Sequence, residues 1–132
     1  MLTRTRAVCS PEVEAIIART IGCAIEVHRL LGPGYTEAVY HDAMAIELAR
    51  AGLAFDREFV VTVVYRGQPL RTHRLDLVVG NAVVIELKAV ERLQRIHQTQ
   101  LLSYMKAAQL KAGLLMNFHA EYLKSQLRRF VL

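Results

Sequence analysis

Tryptophan is absent from this 132-residue sequence, cysteine occurs only twice, and no apolar run is long enough to span a bilayer. Cys9 and Cys23 form no C-x-x-C pair, so we expect two reduced thiols rather than a zinc or redox centre. The first residues lack the apolar centre of a secretory signal. Together with the cysteine pattern, this predicts a cytoplasmic protein with no membrane partner.

Three common motifs for phosphate binding or nucleophilic catalysis are also missing. The chain has no Gly-x-x-x-x-Gly-Lys-Ser/Thr loop, no G-x-G-x-x-G after a strand and no G-x-S-x-G. These absences argue against P-loop nucleotide hydrolysis, dinucleotide binding and serine-hydrolase chemistry.

The composition is that of one folded domain. Apolar residues make up 53% of the chain and charged residues 22%, which argues against disorder and is enough to form a core. We expect a flexible segment over residues 1–10 and a single domain over residues 11–132. The high apolar fraction of so small a domain also predicts a homodimer.

The net charge of +5 is concentrated in the last third of the chain. Seven lysines or arginines and a single acid, Glu121, lie between Arg92 and Leu132. Such a basic region suits a polyanionic partner such as DNA or RNA. Solvated helix faces are also often basic, so an ordinary surface remains an alternative.

Apolar spacing and turn residues divide the chain into helices and strands. Ser10-Pro11-Glu12 is a typical helix start, and apolar residues at helical spacing continue to about Leu31, where Gly32-Pro33-Gly34 ends the helix. The rest of the pattern predicts a second helix at 36–51, strands at 55–65, 70–79 and 82–88, a long helix at 92–112 closed by Gly113, a strand at 114–118, and a helical turn with an edge strand at 123–132. This order predicts an α/β domain with a mixed four- to five-stranded sheet flanked by helices.

Two acids and a lysine lie on neighbouring strands of this predicted sheet. Glu86 and Lys88 share one face of their strand because side chains alternate, and a hairpin through Gly80-Asn81 places Asp76 beside Glu86. Two neighbouring carboxylates in an apolar setting disfavour each other's ionisation, and a divalent cation such as Mg²⁺ or Mn²⁺ resolves that conflict. The alternative is a buried ion pair of either acid with Lys88 that only supports the end of the sheet.

Asp76 followed by Glu86-Leu87-Lys88 resembles the D…(D/E)-x-K signature of the PD-(D/E)XK nuclease superfamily. The stretch from Gly34 to Tyr40 matches the motif that names its GxxExxY branch. Similar blocks cover nearly the whole chain after residue 10, and they run in order through residues 40–48, 74–79, 84–90, 97–104 and 113–118. The sequence departs from the superfamily pattern in one place, since Leu75 stands where the proline of the Pro-Asp pair is expected.

The resemblance implies a restriction-endonuclease-like core and hydrolysis of phosphodiester bonds in DNA or RNA with Mg²⁺ or Mn²⁺. It implies that Asp76, Glu86 and the backbone carbonyl of Leu87 are metal ligands, with Glu37 as an added ligand or organiser of water. Lys88 corresponds to the catalytic lysine. The resemblance also places Gln100 where some members have a glutamine that orients the site.

Other side chains have both a functional and a structural interpretation. His97, Gln100 and Tyr104 share one helical face, which is consistent with a polar stripe beside a cleft. Tyr40 is either a neighbour of the site or a core aromatic residue, and Glu37 is either functional or a helix cap. His41 and His73 are expected to be hydrogen-bonded or solvated rather than to bind metal. The four remaining candidates line a phosphate path or are ordinary surface charge: Arg71, Arg74, Arg92 and Arg95.

Three functions follow from these patterns. The first is a Mg²⁺- or Mn²⁺-dependent nuclease. The second is a catalytically silent module that keeps the nuclease fold and binds nucleic acid. The third is a protein-interaction module in which Glu86 and Lys88 form only an ion pair.

Overall fold

A computed structural model describes residues 9–132, so most of the predicted flexible segment at residues 1–10 lies outside the described residues. The elements in chain order are α1 (Pro11–Leu31), α2 (Glu37–Arg50), β1 (Phe55–Tyr65), β2 (Gln68–Val79), β3 (Val83–Lys88), α3 (Arg95–Ala108), β4 (Ala112–Asn117), a short 3-10 helix (Leu123–Gln126) and β5 (Leu127–Val131). No helix within residues 9–132 combines the length and the apolar character needed to cross a membrane.

Helix α1 begins and ends where its residues predict. The Ser10 hydroxyl accepts a hydrogen bond from the Val13 amide at 3.3 Å, and Pro11 occupies the first turn, where its missing N–H leaves no bond unmade. At the other end Gly32 adopts a positive φ of 68°, a conformation that suits glycine. The helix buries Ile17, Ala24 and other small or apolar residues against the sheet.

The sheet has five strands in the order β1-β2-β3-β4-β5. All neighbouring pairs are antiparallel except β3 and β4, which run parallel and are connected through α3. A parallel pair needs such a crossover connection, and here the helix provides it. The predicted mixed sheet flanked by helices and the predicted helical turn with an edge strand after residue 122 are therefore confirmed.

Apolar side chains form a core on each face of the sheet. One core, which includes Leu77, Ile85 and Leu114, packs against α1 and α2. The other, which includes Val84 and Leu115, packs against α3. Neighbouring residues of β3 and β4 thus contribute to opposite cores, and each fully buried aliphatic side chain stabilises the fold by about 2 kcal/mol.

The predicted bounds of the long helix at 92–112 are wrong at both ends. Helix α3 begins at Arg95 and ends at Ala108, because Gln109 adopts the left-handed conformation with a φ of 58°. Gly113 lies inside β4 and does not close the helix. A Cβ atom on Gly113 would lie 2.5 Å from the Met105 sulfur, so the absence of a side chain lets α3 approach the sheet.

The β1–β2 hairpin extends well past the rest of the sheet. Only Leu77, Val78 and Val79 of β2 pair with β3, whereas the pairing of β1 with β2 continues to a two-residue turn at Arg66 and Gly67. We call residues 59–75 the hairpin arm. One of its faces packs on α3 through the second core, and on the opposite face Val60, Thr62, Thr72 and Arg74 are exposed.

Candidate active site

The site lies where β2 and β3 separate. The backbone ladder between these strands ends at Leu77 and Ile85, and the next two opposed residues are Asp76 and Glu86. The Asp76 amide donates a hydrogen bond to Glu86 Oε1 at 3.2 Å, and the Leu87 amide donates one to Asp76 Oδ2 at 2.8 Å. Each carboxylate therefore accepts a backbone hydrogen bond from the opposite strand, and both acids are held at the point of separation.

Glu86 is a buried carboxyl with an unfavourable charge. It exposes only 8% of its surface, and burial, together with the charge of Asp76, raises its pKa to about 8. The hydrogen bond from the Asp76 amide and the charge of Lys88 oppose this rise without cancelling it. At neutral pH the pair is therefore relieved by a proton on Glu86 or by a cation.

A pocket of about 190 Å³ adjoins the acid pair. Asp76 and Leu87 line it from the sheet, and Glu37 lines it from the first turn of α2. The structure thus brings three of the four predicted metal-binding residues to one pocket; the fourth, Glu86, does not line it but accepts a hydrogen bond from the Asp76 amide. Ala38, His41 and Glu58 complete the lining.

The donor atoms of this site fit a hard divalent cation. Asp76 Oδ1 and Glu86 Oε2 accept no hydrogen bond from an N–H or hydroxyl donor of residues 9–132, and the two carboxyl groups lie within hydrogen-bonding reach of each other. No three His, Cys, Asp or Glu side chains in this part of the chain meet around one ion position. Two carboxylates are nevertheless sufficient for Mg²⁺, which keeps several waters and also binds substrate phosphates.

His41 of α2 contacts the aspartate backbone, and Glu58 of β1 contacts His41. His41 Nε2 lies 2.9 Å from the carbonyl oxygen of Asp76, and its Nδ1 lies 3.6 Å from Glu58 Oε1. Glu58 has a positive φ of 52° and forms no pair in the β1–β2 ladder, so the strand is irregular beside the site. The sequence gives no signal for Glu58, because it follows Asp56 and Arg57 in a short charged run at the start of β1.

Tyr40 has a structural role. Its side chain is fully buried and stacks on Phe118, with ring centroids 4.6 Å apart. Its hydroxyl donates to the Gly32 carbonyl at 2.6 Å and accepts from the Tyr35 amide at 3.2 Å. Tyr40 therefore fixes the loop that leads into α2, and through that loop the position of Glu37.

Lys88 lies half-buried at the end of β3, on the strand that carries Glu86. Its carbonyl oxygen accepts a hydrogen bond from Phe118, which fixes the backbone there. Nearby, His73 stacks on Tyr104 with ring centroids 3.7 Å apart. Burial lowers the pKa of His73, and the charge of Lys88 acts in the same direction while that of Asp76 opposes it. Tyr104 is thus connected to the edge of the site through His73.

The other predicted site residues lie farther out. His97 caps α3, since its Nδ1 accepts a hydrogen bond from the Gln94 amide at 3.0 Å. Gln100 is exposed on α3, and no hydrogen bond joins it to either acid or to Lys88 within the described residues. Four arginines are also exposed, two on the hairpin arm and two at or just before the start of α3: Arg71, Arg74, Arg92 and Arg95.

A larger cavity, of about 430 Å³, lies elsewhere on the molecule. It is lined by residues that include Cys9, Val13, Leu110 and Leu132, and none of the lining residues is an acid. Since a hard divalent cation requires oxygen ligands, the smaller pocket beside Asp76 is the better candidate site.

Comparison with known proteins identifies the family of this chain. A family model described as the PD-(D/E)XK nuclease superfamily matches residues 14–130, which is most of the chain. No significant match was found among curated proteins or solved structures.

Proposed function

Because this chain belongs to the PD-(D/E)XK nuclease superfamily, we propose that it is a metal-dependent nuclease of the GxxExxY branch that hydrolyses phosphodiester bonds in DNA or RNA. The observation that carries the proposal is the crossed pair of hydrogen bonds between Asp76 and Glu86 where β2 and β3 separate. This arrangement leaves one oxygen of each acid for a cation.

Members of the superfamily generally depend on divalent metals, and the proposed ion is Mg²⁺ or Mn²⁺. Asp76, Glu86 and the Leu87 carbonyl would hold it, with Glu37 on the opposite wall of the pocket as an added ligand or organiser of water. When bound, such an ion lowers the pKa of a water molecule and neutralises charge on the phosphate.

The protein side chains supply the remaining functions. Lys88 provides a positive charge that stabilises the additional negative charge on the phosphoryl oxygens in the transition state. His41 holds the Asp76 backbone, so the aspartate keeps its orientation. The role of Gln100 in orienting the site stays a prediction, because its amide contacts neither acid in the described structure.

The proposed substrate is a nucleic acid held by exposed arginines. Arg71 and Arg74 on the hairpin arm and Arg92 and Arg95 near the start of α3 would contact phosphates.

We also propose a single catalytic domain over residues 11–132, a homodimer with two such sites, and a cytoplasmic location in keeping with free Cys9 and Cys23.

A cleavage assay tests the function. Single- and double-stranded DNA and RNA are incubated with the protein in Mg²⁺, Mn²⁺ or EDTA, beside Lys88→Ala and the charge-matched control Arg50→Ala. Cleavage that requires the metal and falls about 100-fold or more in Lys88→Ala but not in Arg50→Ala is expected. Cleavage that persists in EDTA or in Lys88→Ala would overturn the proposal.

A silent binding module is the second candidate. It is favoured by one observation, namely that no third acid joins the Asp76–Glu86 pair around one ion position within residues 9–132. Such a module binds nucleic acid in the same experiment without cutting it under any metal condition. A protein-interaction module would neither bind nor cut nucleic acid in this experiment.

A further inference from the structure

The hairpin arm is a two-stranded ribbon with its base at the acid pair; one face near the base packs on α3, and the residues towards the tip are exposed. Its strands run from the Phe59–Leu75 pair to the turn at Arg66 and Gly67, and both turn residues have positive φ. At ~3.3 Å per residue, the arm reaches roughly 25 Å beyond Asp76. It is therefore long enough to contact a substrate some distance from the site of cleavage.

The charge of the arm has one sign. Residues 59–75 contain Arg66, Arg71 and Arg74 and no aspartate or glutamate. Neither Arg71 nor Arg74 forms a salt bridge with any acid in the part of the chain that the structure describes. These guanidinium groups are free to bind anions or the acceptor atoms of bases.

The outer face and the tip of the arm combine polar and apolar groups. Val60 pairs with Arg74 across the strands, and Thr62 pairs with Thr72. At the tip, Val64, Tyr65 and Leu70 are between 57% and 61% exposed. A face of arginine, threonine and exposed apolar groups matches the edges of base pairs, which present acceptors, donors and thymine methyl groups.

We propose that the hairpin arm enters the major groove of B-form duplex DNA and thereby makes duplex DNA the substrate. The major groove is about 12 Å wide and admits a two-stranded β-ribbon, whereas the deep, narrow major groove of A-form RNA excludes it. Single-stranded nucleic acid has no major groove for the arm to enter. Arg74 is two residues from Asp76, so an arm seated in the groove brings the adjacent DNA backbone to the acids.

This inference rests on the proposed function but is tested by binding alone. The inactive variant Lys88→Ala is titrated in EDTA against a labelled DNA duplex, an RNA duplex of the same sequence and the single DNA strand, with fluorescence anisotropy as the readout. The arm variant adds Arg71→Gln and Arg74→Gln, and its control adds Arg29→Gln and Arg50→Gln, which remove the same charge from α1 and α2. Far-UV circular dichroism checks that all variants are folded.

The DNA duplex is expected to bind at least about 10-fold tighter than the RNA duplex. The arm variant should lose about 10-fold or more for the DNA duplex, while its control loses little. A bulky substituent at pyrimidine C5, which projects into the major groove, should weaken binding similarly. Equal affinity for both duplexes, or equal losses in the arm variant and its control, overturns the proposal. The proposal is also overturned if the arm variant keeps its affinity for the DNA duplex and loses only the ability to dimerise, because the arm would then bind a second copy of the chain.

The two proposals fail separately. If the protein binds duplex DNA through the arm but cuts nothing in Mn²⁺, the arm is right and the nuclease function is wrong. If the active protein cuts normally after Arg71→Gln and Arg74→Gln, the nuclease function is right and the arm proposal is wrong.

Discussion

Replacing Glu86 with glutamine removes a buried carboxyl that opposes folding at neutral pH when no cation is present. The glutamine oxygen still accepts the hydrogen bond from the Asp76 amide, so the contact at the strand separation is retained. What changes is the charge and its response to pH. We therefore expect Glu86→Gln to be more stable than the parent protein at pH 7 in EDTA.

The magnitude follows from the pKa of Glu86, which rises from the ordinary 4.5 to about 8 in the folded protein. Because the folded state binds the proton more tightly, its stabilising effect is complete below pH 4.5 and is lost as the pH rises to 8. Between pH 4.5 and pH 7 this stabilisation of the folded state falls by about 3 kcal/mol, at ~1.4 kcal/mol per pH unit. The two proteins should differ by up to that amount at pH 7 and converge towards pH 4.5.

Urea denaturation in EDTA at several pH values between 4.5 and 8 measures this gap, and the exposed Glu121→Gln serves as the matched control. Addition of Mg²⁺ should raise the urea midpoint of the parent protein, because a ligand that binds only the folded state stabilises it. Mg²⁺ should raise the urea midpoint of Glu86→Gln much less. A Glu86→Gln protein that is less stable than the parent at pH 7, or a gap that does not change with pH, would refute the reasoning.

Two further predictions concern the fold. Gly113→Ala should lower the free energy of unfolding by about 1–3 kcal/mol, since the new Cβ meets the buried Met105 side chain. The control Gly22→Ala lies in the exposed part of α1, where nothing is within 4 Å of the added Cβ, so it should stabilise the protein slightly. Thermal melts in which Gly113→Ala and Gly22→Ala change the stability alike would contradict this prediction. Arg129→Gln should destabilise the protein at pH 7, because the hydrogen bond from Arg129, helped by the Cys9 amide, lowers the pKa of Glu14 to about 2. That stabilisation is present above pH 4.5 and is lost as the pH falls towards 2, so a gap in urea midpoint that persists unchanged at pH 2 speaks against the pair.

Local sequence signals predicted most of the secondary structure. Ser10, Pro11 and the glycines after Leu31 define α1 because capping and φ preferences act within a few residues. The ends of α3 were predicted less well. Gln109 adopts a left-handed conformation that its residue type does not favour, and Gly113 is required by packing against Met105 and Leu101 of α3, across the turn that separates the helix from β4. Periodicity carries no information about such contacts.

The candidate site also combines features that local sequence predicts with features that it does not predict. The hairpin through Gly80 and Asn81 predicted that Asp76 and Glu86 would lie side by side, because strand alternation and a short turn determine it. The end of the β2–β3 ladder at Leu77 and the contribution of Glu58 depend on how far each pairing extends. Strand register beyond a turn is set by the whole sheet, so one strand's pattern could not reveal it.

The crossed bonds between Asp76 and Glu86 have a consequence for how this fold changes over evolutionary time. Because each carboxylate satisfies an amide that the sheet leaves free, loss of the acceptor oxygen at either position removes a structural bond as well as a ligand. Selection for a folded chain alone would then preserve an acceptor oxygen at both positions after activity is gone, whereas the charge of Glu86 would be free to disappear through a change to glutamine. No hydrogen bond within residues 9–132 depends on the Lys88 ammonium, so that lysine is free to vary once catalysis is no longer selected. Among relatives, an acceptor side chain at both positions should therefore mark the fold, and the acid at position 86 together with the lysine should mark the working enzymes.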